Sequence, residues 1–377
     1  MRFAETDPLN RRDFLRRVSV GATALTCLPH ALAGKTPAAF ESRKLGVALC
    51  GLGRYSTGQL GPALRETRFC DLRGVVTGDP EKGRRWAREY GFPESSVYSY
   101  ETMEKMADND AIDILYSVTP PSLHKRDTLR GFSAGKHVIS EKPMALNVAE
   151  CDAMIAAARQ AGKQLAIGYR THFHPYYRHL KQLVTEDRYG SFRHLTGGFG
   201  GSSPQLGTWR MKRSMGGGPL MDVGIYVLYA AAMAKHEALP VAVTAEEPPK
   251  TRPEIFTEIE ETIHFQLEYA DGSTCKGETS WAQSANYFRA EGADGWFETN
   301  PAYSYGGLRG RTSDGELPER DDFNQQAHQM DHIAKAILDE RPSMVPGTMG
   351  RRDIRIIEAI FEAARTGSRV ELSAADT

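Results

Sequence analysis

The sequence lacks an excess of charge of either sign. Its 377 residues contain 47 lysines and arginines and 48 acidic residues, and the formal net charge is −1. Nucleic-acid-binding surfaces are strongly basic because they attract phosphate, so this balance argues against a nucleic-acid partner. A charged ligand would have to be bound by a local site. The length is sufficient for two domains, each with its own core.

Cysteine is also scarce, and its spacing excludes the usual cysteine frameworks. The five cysteines are scattered, and no two of them form a CxxC pair. A structural zinc site would need closely spaced cysteines or histidines. A disulfide scaffold would need a regular set of paired cysteines. The sequence therefore predicts buried apolar thiols and no metal site.

The first 33 residues do not resemble part of a folded domain. Arg11 and Arg12 begin a basic cluster, residues 18–28 form an apolar stretch, and residues 31–33 offer small side chains for cleavage. The apolar stretch is too short to span a bilayer of about 30 Å as a helix. This pattern is typical of a twin-arginine signal peptide. It predicts export of the folded protein to the periplasm, with no membrane attachment after cleavage.

The rest of the chain divides into two predicted domains, which differ in the spacing of their apolar residues. After a short arm, 34–43, buried strands are predicted at 45–50, 72–76, 112–118, 138–139 and 164–167, with helices between them. This alternation predicts a parallel sheet covered on both faces, over residues 44–167. Beyond about residue 190 the period changes to two, as at 263–269, which is typical of antiparallel strands. The second domain, 168–377, is expected to end in helices near 324–340 and 350–366. A strand is predicted over 295–305 and a surface loop over 306–322.

A glycine-rich turn follows the first predicted strand. The segment reads Gly51-Leu52-Gly53-Arg54-Tyr55-Ser56. In a dinucleotide-binding turn the first glycine allows the tight bend, and the second lets the pyrophosphate approach the N-terminus of the next helix. Ser56 stands where a third small residue is usual. The position after strand one predicts a cofactor site.

The end of the second strand lacks the acidic residue that usually binds the ribose of NAD. Thr77 stands there, and Arg54 and Lys82 are close enough in sequence to meet a 2′-phosphate. The sequence therefore favours NADP over NAD. Asp79 is the contrary observation, because a shifted register would let it reach the ribose.

Three further segments carry residues that suit chemistry. Lys142 follows the strand at 138–140, and ligands bind at the carboxyl edge of such sheets. Asp222 and Tyr226 have a spacing of four, which places both on one face if the segment is helical. His172 lies just beyond the last parallel strand. Taken singly, each also has a plain structural interpretation, as a surface lysine, a helix cap, a core aromatic or a loop histidine.

With these motifs together, the chain from about residue 45 to 372 resembles the Gfo/Idh/MocA oxidoreductases, and within them the glucose–fructose and aldose–aldose branch. The motifs are the glycine turn, Ser122-Leu123-His124, residues 134–138, Glu141-Lys142-Pro143, Gly168-Tyr169-Arg170, Trp209-Arg210 and the run from Gly216 to Tyr226. Tyrosine at 226, where many relatives have histidine, narrows the resemblance to that branch. Pro120-Pro121 departs from the Pro-Asn that is usual there.

The resemblance implies a fold and a set of roles. The fold is an α/β Rossmann domain followed by an α+β domain with a large, open-faced, mostly antiparallel sheet. It also implies homodimers or homotetramers built through that sheet, and a cis bond before Pro143. The implied catalytic residues are Lys142, Asp222 and Tyr226. The implied cofactor contacts are Gly51, Leu52, Gly53, Arg54, Tyr55, Thr77, Lys82, His124, Glu141, Lys142, Arg170, Trp209 and Arg210. The implied sugar contacts are Lys142, His172, Asp222 and Tyr226.

The implied reaction is hydride transfer between a sugar and a tightly held nicotinamide cofactor. It needs a base for the sugar hydroxyl and a positive group for the developing alkoxide. Either Tyr226, helped by the charge of Lys142, or Lys142 itself fits as the proton acceptor. Two other functions remain open, a nicotinamide-assisted glycosidase of the same fold and a catalytically idle sugar-binding protein.

Overall fold

The structure is a computed structural model that describes residues 43–202, 206–320 and 322–373. The predicted signal peptide, 1–33, and the predicted arm up to residue 42 lie outside the described residues. Those two predictions therefore remain predictions.

The first domain is built on a parallel sheet of six strands in the order β3-β2-β1-β4-β5-β6. This is the strand order of a dinucleotide-binding fold, with the topological switch between β1 and β4. Every residue of β1 is buried, as expected for a strand covered on both faces. The strands are β1 (Leu45–Cys50), β2 (Cys70–Val76), β3 (Val97–Tyr98), β4 (Ile114–Ser117), β5 (His137–Ser140) and β6 (Leu165–Ile167).

The helices of this domain begin and end where the sequence indicates. Asn147 caps α4 by accepting a hydrogen bond from the backbone N–H of Glu150 at 2.9 Å, and Gly162 ends the helix with a φ of 61°. Asparagine and glycine are residue types that favour these two positions. The helices are α1 (Gly61–Leu64), continuing a π-helical turn (Ser56–Leu60), then α2 (Pro80–Tyr90), α3 (Pro121–Ser133) and α4 (Val148–Ala161).

The second domain is built on a nine-stranded sheet in the order β14-β13-β12-β11-β7-β10-β9-β8-β15. All its strand pairs are antiparallel except β7 with β10, which run parallel. The predicted fold class, a Rossmann domain plus a mostly antiparallel sheet domain, is thus confirmed. The strands are β7 (His194–Gly200), β8 (Ala242–Glu246), β9 (Thr262–Glu268), β10 (Thr274–Ser280), β11 (Ala285–Glu291), β12 (Trp296–Thr299), β13 (Gly310–Thr312), β14 (Gly315–Glu316) and β15 (Val370–Glu371).

Among the residues that the structure describes, helices pack on one face of this sheet. All ten residues of α6 (Ile225–Ala234) are buried, and the helix packs on β7, β10 and β11. By length and composition the helical stretch Arg213–Ala234 is apolar enough to cross a membrane, but 94% of it is buried inside the protein, so it is a core helix. The other helices are α5 (Pro175–Thr185), α7 (Gln325–Leu338) and α8 (Gly347–Thr366).

Two local predictions in this domain are wrong. The strand predicted over 295–305 ends at Thr299, because the chain turns at the cis Asn300–Pro301 bond. The loop predicted over 306–322 contains a small hairpin, β13 with β14, which extends the sheet at its edge. These strands are too short to show an alternation of apolar and polar residues, and the stretch is rich in glycine and charged residues, which are typical of loops.

Candidate active site

A cavity of about 300 Å³ lies where the carboxyl ends of the parallel strands face the helical layer of the second domain. Both domains contribute to its wall. The glycine turn and the loops after β4 and β5 form one side. The other side comes from the segments around residues 209, 222–226 and 305. The lining residues are Gly53, Arg54, Tyr55, Val118, Thr119, Pro121, Glu141, Lys142, Thr208, Trp209, Arg210, Asp222, Tyr226 and Tyr305.

The glycine turn leaves room for a ligand at its second glycine. Gly51 has a φ of +96°, which residues with a Cβ rarely adopt. A Cβ added at Gly53 would meet no atom within 4 Å, so the backbone there borders open space. Ser56 donates a hydrogen bond to the Gly51 carbonyl at 2.5 Å and fixes the turn. The close helix packing of this motif occurs instead at Gly61, where a Cβ would lie 2.4 Å from the Tyr90 hydroxyl. These features fit a pyrophosphate at the start of the helix.

The end of β2 brings together the groups that the sequence assigns to the ribose. The Lys82 ammonium donates a hydrogen bond to the carbonyl of Leu52, so this lysine lies across the glycine turn. Asp79 caps α2 by accepting from the backbone N–H of Lys82 at 3.0 Å. Thr77 is buried, and its hydroxyl accepts from the backbone N–H of Asp79 at 3.1 Å. The Asp79 carboxylate is therefore used as a helix cap, and the Lys82 ammonium is the charged group that contacts the glycine turn.

Lys142 and Asp222 form an ion pair in the cavity wall. The Lys142 ammonium donates to the backbone carbonyl of Asp222 at 2.7 Å and lies 3.5 Å from its carboxylate. The other carboxylate oxygen accepts from Arg210 Nε at 2.6 Å. Burial opposes ionisation of Asp222, but the two cations together keep its pKa below the usual value. Asp222 thus fixes the position of Lys142 and of Arg210, whose guanidinium lies 4.4 Å from the Trp209 ring.

Tyr226 lies beside this pair, and two cations flank it. The Lys142 ammonium is 4.8 Å from the centre of the Tyr226 ring, and the Arg170 guanidinium carbon is 5.0 Å from it. The phenolic oxygen accepts a hydrogen bond from Arg170 Nε at 3.2 Å. Tyr226 is buried, with 5% of its surface exposed, yet it lines the cavity. The structure therefore brings the three predicted catalytic residues to one place.

Glu141 is a buried carboxylate beside Lys142. It accepts a hydrogen bond from the Tyr116 hydroxyl at 2.6 Å, and that hydroxyl accepts one from Gln329 at 2.7 Å. Burial raises the pKa of Glu141, against the opposing hydrogen bond from Tyr116 and the charge of Lys142. A Cβ at Gly168 would lie 2.5 Å from this carboxylate. Glu141 is therefore held rigidly in the cavity wall.

Seven of the predicted contacts do not line this cavity: Gly51, Leu52, Thr77 and Lys82 at the glycine turn and the end of β2, and His124, Arg170 and His172. His124 is buried, and its two ring nitrogens lie 2.9 and 2.7 Å from the carbonyls of Pro143 and Thr119, so it connects the two loops. His172 is also buried and stacks on Tyr169, and burial lowers its pKa to about 3. The ring packs among aromatic side chains and does not line the cavity, so the sugar contact there stays a prediction that this structure does not support. Arg170 contacts Tyr226 and does not line the cavity.

The most prominent residue that sequence reasoning missed is Tyr305. Its ring stacks on Tyr55 of the glycine turn at 5.9 Å and covers the Arg170 guanidinium at 4.5 Å. Nearly half of Tyr305 is exposed, which leaves it free to contact a ligand. The only signal in the sequence is an aromatic residue before two glycines, which is too common to single out a site.

A second missed residue, Glu260, supports the loop that leads to Asp222. Its carboxylate accepts from the backbone N–H of Leu220 at 3.0 Å and pairs with Arg213 at 2.9 Å. Gly218 has a φ of +108°, and a Cβ there would lie 2.5 Å from the Glu260 carboxylate.

We therefore expect Gly218→Ala to destabilise the protein by about 2 kcal/mol or more, because a positive φ costs roughly 1–2 kcal/mol and the contact with Glu260 adds to it. Gly91→Ala is the matched control, since Gly91 also has a positive φ but an added Cβ meets nothing within 4 Å. Thermal unfolding midpoints measure both. Equal losses for the two variants would show that the Glu260 contact does not constrain the loop.

No group of three or more metal-ligating side chains occurs within residues 43–202, 206–320 and 322–373. The four cysteines of this part of the chain are buried and unpaired.

Comparison with known proteins agrees with this architecture. Residues 45–169 match the family described as "Oxidoreductase family, NAD-binding Rossmann fold", and residues 177–298 match the "GFO/IDH/MocA C-terminal domain". A D-xylose 1-dehydrogenase [NADP(+)] of Haloarcula marismortui is 27% identical over 86% of this chain and 92% of its own length.

Solved structures show the same fold. The aldose–aldose oxidoreductase of Caulobacter crescentus, solved with glycerol, is 40% identical, with a TM-score of 0.84 over 88% of this chain and all of that chain. An inositol dehydrogenase homologue of Azotobacter vinelandii, solved with NADH and myo-inositol, is 15% identical with a TM-score of 0.75, over 88% of this chain and 98% of that chain, and shares the fold alone. The glycine turn, the Lys142–Asp222–Tyr226 cluster and these matches establish that the chain belongs to the Gfo/Idh/MocA family of oxidoreductases.

Proposed function

We propose that the protein is an NADP-dependent oxidoreductase that acts on a CH–OH group of an aldose or related sugar and keeps its cofactor bound between turnovers. The observation that carries the proposal is the convergence of Lys142, Asp222 and Tyr226 on one cavity beside an open glycine turn. The names of the relatives above, a xylose dehydrogenase and an aldose–aldose oxidoreductase, support a sugar substrate.

The cavity supplies the groups that the reaction needs. When bound, the cofactor supplies a nicotinamide ring as the electron-pair acceptor. Tyr226, when ionised, takes the proton of the sugar hydroxyl, because its side chain lines the cavity and two cations flank its ring. The Lys142 ammonium stabilises the oxygen as negative charge develops there. Asp222 holds the lysine through its carbonyl and its carboxylate. Glu141, Arg54, Tyr55, Trp209 and Arg210 remain predicted contacts of the cofactor.

The preference for NADP rests on the end of β2. Thr77 stands where NAD sites carry an acid, and Lys82, which donates to the Leu52 carbonyl in the glycine turn, would hold a ribose 2′-phosphate. Asp79 is already used as a helix cap. The name of the Haloarcula marismortui xylose dehydrogenase, which specifies NADP(+), supports the same choice.

We expect Lys82→Ala to weaken NADP binding by about 10- to 100-fold, since a hydrogen bond to a charged group contributes about 1.5–3 kcal/mol, and to leave NAD binding within about threefold. Arg84→Ala is the control, because Arg84 lies on the same helix and pairs with Glu81. Titration calorimetry with both nucleotides measures the ratio. An unchanged ratio in Lys82→Ala would assign the 2′-phosphate to other residues.

Mass spectrometry of the nucleotide released from denatured, purified protein tests the proposal as a whole. The expected mass is that of NADP(H), at close to one equivalent per chain. Release of NAD(H), or recovery of no nucleotide at all together with a need for added cofactor at every turnover, would contradict the proposed cofactor use. Net sugar oxidation without glycoside cleavage separates this function from that of a glycosidase.

The cellular setting is part of the same proposal. A tightly bound cofactor suits export by the twin-arginine route, which the pattern at Arg11 and Arg12 predicts, because folded protein can carry NADP into a compartment without a free supply. Cell fractionation of the full-length chain, with Arg11→Lys and Arg12→Lys together as the comparison, checks this location.

Assembly through the second sheet is proposed on the family resemblance. The face of the sheet opposite the packed helices has half-buried polar and aromatic side chains, among them Gln266, Glu278 and Tyr287, around a broad depression. We expect a homodimer or homotetramer, which light scattering of the purified protein can measure. A monomer at micromolar concentration would contradict this part of the proposal.

A further inference from the structure

The Arg170 guanidinium is buried without a carboxylate partner among the described residues. Only 3% of its surface is exposed. It donates to the backbone carbonyls of Tyr303 and Ser304, to the side-chain carbonyl of Gln325 and to the phenolic oxygen of Tyr226. All four acceptors are neutral when Tyr226 is protonated. Glu141 acts on Arg170 electrostatically, but its hydrogen bonds come from Tyr116 and the Lys142 backbone N–H. A buried guanidinium whose hydrogen-bond acceptors are all neutral is costly, so its surroundings favour a negative charge on one of those acceptors.

Tyr226 is the group that can supply this charge within hydrogen-bond distance. Arg170 Nε lies 3.2 Å from its oxygen. Lys142, by contrast, lies over the ring and gives its hydrogen bonds to Asp222. Lys142 and Arg170 therefore serve two different oxygen atoms. Lys142 is placed to meet a substrate oxygen at the cavity, and Arg170 is committed to the phenol.

The surroundings of Arg170 hold it in this orientation. Its guanidinium lies between the rings of Tyr226 and Tyr305, at 5.0 and 4.5 Å from their centres. Gln325, at the start of α7, accepts from Arg170 and donates to the carbonyls of Ser304 and Tyr305. A planar, fixed donor set of this kind cannot be reproduced by a lysine.

We infer that Arg170 is a positioning residue that holds the Tyr226 phenol and stabilises its ionised form, so that Tyr226 can exchange a proton with the substrate. This inference rests on the proposed function, in which Tyr226 is the base. The other titratable or charged groups that face Tyr226 or its immediate neighbours are Tyr55, Glu141, Lys142, Tyr177, Asp222, Tyr229, Tyr303 and Tyr305.

The test is an ultraviolet absorbance titration of phenolate formation, which needs no substrate. The difference between the wild-type protein and Tyr226→Phe isolates the signal of Tyr226. We expect its midpoint to rise by about one pH unit or more in Arg170→Gln, and by less in Arg170→Lys, which keeps a charge. Thr171→Val is the matched control, because it removes only the 2.6 Å hydrogen bond to Tyr229 next to Arg170, and its midpoint should stay at the wild-type value.

Sugar turnover gives a second readout. Arg170→Lys should lower kcat/KM by about tenfold or more in the wild-type background and by less than about threefold in the Tyr226→Phe background, because the two residues act through one hydrogen bond. An unchanged midpoint in Arg170→Gln, or in Arg170→Lys if the glutamine variant does not fold, would overturn the inference, as would equal effects in both backgrounds. Absence of sugar turnover in the wild-type protein would instead overturn the proposed function. The absorbance titration would still test the effect of Arg170 on Tyr226, because it needs no substrate.

Discussion

Replacing Tyr226 with phenylalanine is expected to lower kcat by about 10²–10⁴-fold, the range that general acid–base catalysis contributes. The variant loses one oxygen atom, and the ring still packs against Phe199 and Tyr303. KM should change little, since the loss affects proton transfer more than substrate binding. Steady-state kinetics with an aldose measures both parameters.

Tyr229→Phe is the matched control for this prediction. Tyr229 lies on the same helix, is equally buried, and uses its hydroxyl only for Thr171 among the hydrogen bonds of the described residues. Its loss should reduce stability but leave kcat within about threefold. If Tyr226→Phe retained near-normal kcat, the proton acceptor would be Lys142, which is the alternative that the sequence leaves open.

Replacing Lys142 with methionine is expected to lower kcat/KM by about 10²–10⁴-fold. The substitution keeps the length of the side chain and removes the charge that stabilises the developing alkoxide. It also leaves Asp222 with Arg210 as its cationic partner, at 2.6 Å. The nucleotide should remain bound, because the glycine turn and Lys82 are untouched. Kinetics and the bound-nucleotide content are measured on the same preparation.

Lys235→Met is the control that distinguishes an effect of Lys142→Met on catalysis from an effect on folding. Lys235 is a similarly buried lysine that pairs with the more exposed Asp271 at 2.7 Å, in the second domain and outside the cavity. We expect this variant to lose stability and to keep its kcat. Equal losses of kcat in the two lysine variants would mean that Lys142 acts through the fold and not on the substrate.

The predictable part of this site follows from rules that act over short stretches of chain. The glycine turn must follow the first strand of a parallel sheet, and Lys142 must project at the carboxyl edge because it directly follows β5. A spacing of four places Asp222 and Tyr226 on one side of their helix, although the first of them lies in a π-helical turn, Leu220–Gly224, that the sequence does not reveal.

The remaining part depends on contacts between residues far apart in the chain. Arg170 and Tyr226 are 56 positions apart, and Tyr305 reaches the site from the loop between β12 and β13. A histidine near a strand end looks the same in the sequence whether it lines a cavity or, like His172, packs among aromatic rings. Only the packing of the two domains distinguishes these cases, and the sequence carries no local signal for it.

The absorbance of reduced nicotinamide on mixing purified protein with an aldose, without added cofactor, tests the central claim most directly. The account predicts a rise that stops near one equivalent per chain, returns to baseline when a second sugar is added as oxidant, and is absent in Lys142→Met. A wild-type protein that holds NADP and shows no change with any aldose would contradict the assignment of this cavity to sugar oxidation.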